Sequence, residues 1–182
     1  MSPILGIWAS QNYTRITNSY ESIATFTSGQ TVTFSSIPST YKHLQVRVNW
    51  NSGSAGSDMG IKVNSSNPTQ AHQLFGNGAS AIAGSSDFDA TYGWYLDIGN
   101  FNDVLPNIPT VAIIDFLDYA DTNKFKTGRM LVGTEYNNND TKSRVGLKSA
   151  FWSTTSAISS ITFRQINSSF GSGTSIALYG IR

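Results

Sequence analysis

The acidic residues of IIDFLDYAD, Asp115, Asp118 and Asp121, are the first group whose side chains could do chemistry. Two carboxylates about 5 to 10 Å apart across a cleft can hydrolyse a glycosidic bond. Side chains alternate along a strand, however, and the odd separation of Asp115 and Asp118 sends them to opposite faces. One flat strand cannot pair them. Asp118 and Asp121 suit a turn instead, where Asp accepts backbone N–H groups. A second group, Asp87, Asp89 and Asp97, could offer hard oxygen ligands to Ca²⁺. Its spacing lacks the EF-hand pattern, and solvated loop carboxylates are the plainer reading. The histidines are His43 and His72, with no i, i+2 or i, i+4 pair, and cysteine is absent, so a zinc site has no nucleus. No GxSxG elbow occurs among the many serines, and neither GNGAS nor GSGT is followed by a P-loop lysine. No catalytic, metal or cofactor residue is assigned, and the chain does not read as an enzyme.

Side chains suited to contact are more prominent than side chains suited to catalysis. TYGWYLD places Tyr92, Trp94 and Tyr95 together, and Trp50, Phe75 and Phe88 flank the same part of the chain. Trp94 runs in phase with Leu96 and Ile98, which makes it a core residue. Tyr92 and Tyr95 are left as candidates for a surface contact such as stacking on a sugar. At the other end Ile4, Leu5, Ile7 and Trp8 form a short apolar run broken by Pro3 and Gly6, followed by the polar SQNYTRITNS. Residues 1–19 read as an extended arm that docks on a neighbouring surface, with an edge strand of the same domain as the alternative. An apolar segment of this kind is unfavourable in water unless something covers it.

The elements that must position these groups are strands. ESIATF and TVTFSSI flank a GQ turn and read as a hairpin, which Pro38 ends. HLQVRVNW alternates most cleanly, with Leu44, Val46, Val48 and Trp50 opposed to His43, Gln45, Arg47 and Asn49 as a polar, wet face. MGIKVN puts Met59, Ile61 and Val63 on one face. In residues 64–92 HQLFGNG could be one strand, and the rest reads as long loops. TVAIIDFLDYA is the most apolar run; it is β-branched and short, so a central strand is favoured over a helix. TGRMLVGTEY is a further strand. RVGLKSAFW sets Val145, Leu147 and Ser149 against Gly146, Lys148 and Ala150. ISSITFRQI points Ile161 and Phe163 inward, and SIALYGIR puts Ile176 and Leu178 on one face. Residues 118–129 are the one place for a helical turn. About ten short strands divided by turn chemistry predict an all-β antiparallel jelly-roll β-sandwich, a single domain over residues 20–182. The uneven loops favour a jelly roll over an up-and-down barrel.

Length and charge bound the partners. The chain has 182 residues, enough for a core that buries roughly 70% of the unfolded surface without staples. It carries 12 Lys+Arg against 11 Asp+Glu, and 13% of its residues are charged, about half the usual fraction. No basic cluster marks a nucleic-acid surface. No window approaches the roughly 20 apolar residues of a membrane span, and MSPILGIWAS has no positive n-region, so the chain reads as soluble and without a signal peptide.

Several long segments carry a resemblance. NSYESIATFTSGQTVTFSSIPSTYKHLQVRV resembles the opening of a family of tailed-phage proteins common in cyanophages. AIIDFLDYADTNKFKTGR, SRVGLKSAFWSTTSAISSITF and the ending SIALYGIR resemble later parts of it. The likeness runs from about residue 19 to the C-terminus and lapses over 64–92. It implies a virion structural protein, either a capsid decoration (cement) protein or a module at the end of a tail fibre, and it brings no catalytic residues. The expected function is therefore adhesive: a homo-trimer that binds the major capsid protein on the outer capsid surface, anchored through Ile4, Leu5, Ile7 and Trp8. The alternative is a receptor-binding module of a tail fibre or spike, contacting a host surface glycan through Tyr92 or Tyr95. Neither reading needs a cofactor, nucleic acid or membrane.

Overall fold

A computed structural model describes residues 19–85, 88–96, 106–136 and 143–182. Within them every regular element is a β-strand and every ladder is antiparallel. The strands are β1 (Tyr20–Phe26), β2 (Thr31–Phe34), β3 (His43–Trp50), β4 (Met59–Val63), β5 (Gln70–Gly76), β6 (Ala81–Ser85), β7 (Phe88–Asp89), β8 (Gly93–Tyr95), β9 (Thr110–Phe116), β10 (Lys126–Thr134), β11 (Arg144–Trp152), β12 (Ile161–Gln165) and β13 (Ser175–Ile181). One sheet has eight strands in the order β1-β13-β3-β9-β10-β11-β5-β6, and the other has five in the order β2-β12-β4-β8-β7.

The pairings nest. β1 pairs with β13, β2 with β12, β3 with β9, and β4 with β8, while β13 also pairs with β3 and β12 with β4. A ribbon of eight strands rolled on itself produces this order, so the two layers are a jelly roll. β10, β11, β5 and β6 are additions that widen the larger sheet past the roll, and β7 extends the smaller one.

The roll corrects the expected hairpin. β1 and β2 do not pair but lie in different sheets, joined by a turn in which Gly29 takes φ 116°. Both strands reach one core only if the chain crosses from layer to layer between them. Residues 64–92 are also more regular than expected, since β5, β6 and β7 fall there. Residues 118–125 turn without forming a helix. The strands exceed the expected ten because β6 and β7 lie where the pattern predicts loop. Of the expected arm over residues 1–19, residues 1–18 lie outside the described residues.

The core follows the alternation. Leu44, Val46, Val48 and Trp50 of β3 are buried, as are Met59, Ile61 and Val63 of β4, Ile161 and Phe163 of β12, and Ile176 and Leu178 of β13. Trp94 and Trp152 meet edge to face, 6.1 Å between ring centres, with Phe116 against the second indole. On the other side of β3 the wet face is only partly wet: Arg47 and Asn49 are exposed, but Gln45 is buried, its Nε2 donating to Asp115 Oδ1 at 2.9 Å. Two lysines are buried with acceptors supplied. Lys148 Nζ donates to the Tyr95 carbonyl at 3.1 Å, and Lys126 Nζ donates to the carbonyls of Lys124, at 3.0 Å, and Asp121. Burial pushes the Lys126 ammonium below the ordinary lysine range. At one end of the sandwich Gln165 ties the layers together. Its Oε1 accepts from the Trp50 indole at 2.7 Å, and its Nε2 donates to the hydroxyls of Ser52 and Ser168, each at 2.8 Å.

Candidate interaction surface

β9 has two apolar faces. Ala112, Ile114 and Phe116 enter the core, while Val111 and Ile113 point away from it. In β11 the inward side is Gly146, Lys148, Ala150 and Trp152, and the outward side carries Val145 and Leu147. Register then lines up the outward residues. One row across the eight-stranded sheet runs Thr25, Ala177, Arg47, Ile113, Leu131, Leu147, Leu74, Ala83, each directly opposite the next. The adjacent row places Val111 opposite Gly133, and Gly133 opposite Val145.

Leu74, Val111, Leu131, Val145 and Leu147 are each more than half exposed, and Ile113 nearly so. Together they present on the order of 500 Å² of apolar surface, within the range of the largest patches on monomers, which are often functional. Covering that area is worth on the order of 10 kcal/mol before association costs are counted. Cross-strand contact among these side chains recovers only part of that. A depression of about 390 Å³ sits in the patch, walled by Val111, Ile113, Leu131 and Val145 with Arg47 at its edge. Gly133 makes it: a Cβ there would meet only the Arg144 carbonyl, at 3.8 Å, so the space above the glycine is open.

The row on the other side of the band is polar. Gln45, Asp115, Arg129, Ser149 and His72 follow one another across the sheet. Asp115 and Arg129 face each other on neighbouring strands, so the rim of the apolar band carries both signs of charge on one surface.

The residues singled out in the sequence are scattered. Asp118 and Asp121 build the turn after β9: the Asp121 amide donates to the Asp118 carbonyl at 3.0 Å, the Asn123 amide donates to Asp121 Oδ1 at 2.8 Å, and Lys124 Nζ lies 2.9 Å from Asp118 Oδ2. The Lys124 hydrogen bond holds the Asp118 carboxyl below the usual carboxylate range, and the Asn123 amide does the same for Asp121. Asp89 accepts the amides of Thr91 and Tyr92 at 2.6 and 3.2 Å, which is turn chemistry rather than metal ligation. Asp87 and Asp97 lie outside the described residues, as do Ile4, Leu5, Ile7 and Trp8. Trp94 is fully buried, as its phase predicts. Tyr92 and Tyr95 are half-buried at the five-stranded sheet, remote in the fold from the apolar band, and the Arg164 guanidinium lies 5.2 Å from the Tyr92 ring centre.

Comparison of the chain with family models, with curated proteins and with solved structures finds no match. The surface therefore has to be read from its own chemistry. Among the described residues no group of three or more His, Cys, Asp or Glu could hold a metal ion. Sequence reasoning passed over the apolar band although its signal was present: Val111–Ile114 is apolar at consecutive positions, and a half-buried strand alternates. A run apolar on both faces needs both faces covered.

Proposed function

We propose that the protein is a phage virion structural protein, a capsid decoration protein that assembles as a homo-trimer through the outer face of its eight-stranded sheet and fixes to the major capsid protein. The observation that carries the adhesive part is the continuous band Ile113, Leu131, Leu147 and Leu74, exposed across four neighbouring strands of a chain in which 13% of residues are charged. The occupant of the band is a second copy of the chain. The rim brings Asp115 and Arg129 to the same surface, so one copy supplies the charge complement of the next. A stable interface buries about 800 Å² per partner. The apolar band with its polar rim is of that order for one neighbour only, so the second contact of a ring draws on the rest of the sheet, and the N-terminal Ile4, Leu5, Ile7 and Trp8 supply the further apolar contact toward capsid. A ring of three closes if each subunit offers one part of the broad sheet to each neighbour. The virion setting is drawn from the resemblance of the long segments described above.

The test has two parts. Light scattering coupled to size exclusion gives three times the chain mass for the native protein, and the charged pair of substitutions Leu131→Lys and Leu147→Lys gives one chain mass with an unchanged far-ultraviolet circular dichroism spectrum. In purified particles the copy number runs to hundreds, and deletion of residues 1–10 reduces incorporation into heads. A native monomer at micromolar concentration removes the role of the band, and a truncated chain that decorates heads as well as the full one removes the role of the arm.

A second reading, a receptor-binding module of a tail fibre or spike, is favoured by the half-buried Tyr92 beside Arg164 on the opposite sheet. A handful of copies per particle selects it over the first.

A further inference from the structure

The outer face of the five-stranded sheet carries a hollow of about 260 Å³ whose chemistry is the reverse of the apolar band. Lys62 and Arg164 line it with Tyr92 and the hydroxyl-bearing Thr31, Thr91 and Thr162. Register puts Lys62 opposite Thr162 and Arg164 opposite Gly60, so the two cations occupy diagonal positions on β4 and β12. Such neighbours lie roughly 7–8 Å apart, and like charges on one face repel. Among the described residues no carboxylate lines the hollow. Lys124 and Arg182, by contrast, pair with Asp118 and Glu21.

The wall is fixed in place. A Cβ on Gly60 would stand 2.2 Å from the Tyr92 carbonyl oxygen, so the glycine lets the 91–93 turn press directly on β4. Gly93 at φ 97° and the two amides bound by Asp89 lock that turn. Arg164 lies against the Tyr92 ring, which limits the side-chain freedom it would lose on binding. An aromatic ring, two cations and several hydroxyls therefore converge on a prearranged surface, while the neighbouring Asp89 carboxylate is engaged by the Thr91 and Tyr92 amides.

We propose that this hollow binds an anionic saccharide. The sugar carboxylate bridges Lys62 and Arg164, its less polar ring face rests against the uncovered part of Tyr92, and its hydroxyls meet the threonines. The volume is just under the roughly 300 Å³ at which small-molecule pockets begin, which suits one sugar ring. The assignment deepens the receptor-binding reading by naming a ligand class, and it does not depend on the apolar band or on where in the virion the protein sits.

The experiment is an amide-resolved NMR titration of the full chain with glucuronate, with glucose, and with sodium sulfate at matched ionic strength. Glucuronate is expected to shift amides of residues 60–62, 91–93 and 162–164 saturably, with glucose and sulfate each about tenfold weaker. Arg164→Gln and Tyr92→Ala, each giving a spectrum that verifies the fold, weaken glucuronate about tenfold, the first through loss of one charge-assisted contact and the second through loss of the aromatic face; Lys42→Ala, at an exposed lysine elsewhere, leaves it unchanged. Absence of saturable shifts at these residues, equal binding of glucose, equal binding of sulfate, or indifference to Arg164→Gln overturns the proposal. Copy number per particle reports separately on the head or tail reading.

Discussion

At single positions two of the buried indoles, Trp50 and Trp94, differ in a way that can be measured. Trp50 Nε1 has a partner in Gln165, whereas Trp94 Nε1 is buried without one among the described residues. Both residues bury a full indole, so replacement by Phe removes similar area. Trp50→Phe also orphans the Gln165 carbonyl oxygen, and an unsatisfied buried group costs about 1–3 kcal/mol. Trp50→Phe is therefore expected to cost about 1–2 kcal/mol more than Trp94→Phe, read from urea denaturation midpoints at constant slope. The carboxylates of the turn after β9 set a pH response. Asp118 and Asp121 titrate below their unfolded values, so the folded state binds fewer protons than the unfolded chain in that range. Their stabilisation is complete above the unfolded carboxylate range near pH 4 and is lost as pH falls through the depressed folded values. Thermal melts from pH 6 down to pH 2 should show a shallower acid decline for the Asp118→Asn, Asp121→Asn double variant than for the native chain. Equal acid slopes would mean the turn does not couple to global unfolding.

Strand by strand, glycine positions separate packing from surface roles. Gly180 on β13 lies under the Tyr41 ring, and a Cβ there would sit 2.3 Å from the ring carbon. A Cβ at Gly133 of β10 meets one atom at 3.8 Å. Gly180→Ala must push the ring off the strand and should cost at least the 1–3 kcal/mol typical of overpacking. Gly133→Ala should leave stability within about 0.5 kcal/mol, as ordinary surface changes do. It also begins to fill the depression between Val111 and Val145, so it should alter self-association while the melting temperature holds. A variant pair in which both glycines behave alike would contradict the description of one as core and the other as surface.

For the whole molecule, the two outer faces have opposite chemistry. The eight-stranded sheet exposes aliphatic side chains in a row; the five-stranded sheet exposes Thr33, whose hydroxyl lies 3.0 Å from that of Thr162, together with Lys62 and Arg164. Assembly through the first face, as proposed, would leave the second free in every copy. If three copies each display the saccharide hollow, weak single sites gain by avidity wherever the target repeats at matching distances. On the proposed trimeric assembly, the native protein should accordingly be retained on a dense acidic polysaccharide surface and the Leu131→Lys, Leu147→Lys variant should not, although the single-site affinities by NMR are equal. Equal retention of both forms would show that the sites do not act together.

Much of this was legible from local pattern. The period-two alternation of HLQVRVNW, MGIKV, ITFRQ and SIALYGI assigned strands and core residues correctly, because that pattern depends only on consecutive side chains pointing to opposite sides of an extended backbone. Turn chemistry was legible because it too is local: the Asp121 carboxylate accepts the amide two residues on, although Asp118 joins the turn through its carbonyl and pairs its carboxylate with Lys124. Which strands pair was not. The partners of β1 and β2 lie more than a hundred residues away, at β13 and β12, and neighbouring runs joined by a short turn look like a hairpin until the whole roll closes. Nor could alternation say which side of a strand would be covered. RVGLKSAFW offers Val145 and Leu147 on one side and Lys148 on the other, and hydrophobicity alone would bury the first pair. The packed structure buries Lys148 instead, with the Tyr95 carbonyl as an acceptor, and turns the leucine and valine outward. The chain by itself determined that it would form strands with two unlike sides; only closure of the sheets decided which sides met each other and which were left to meet something else.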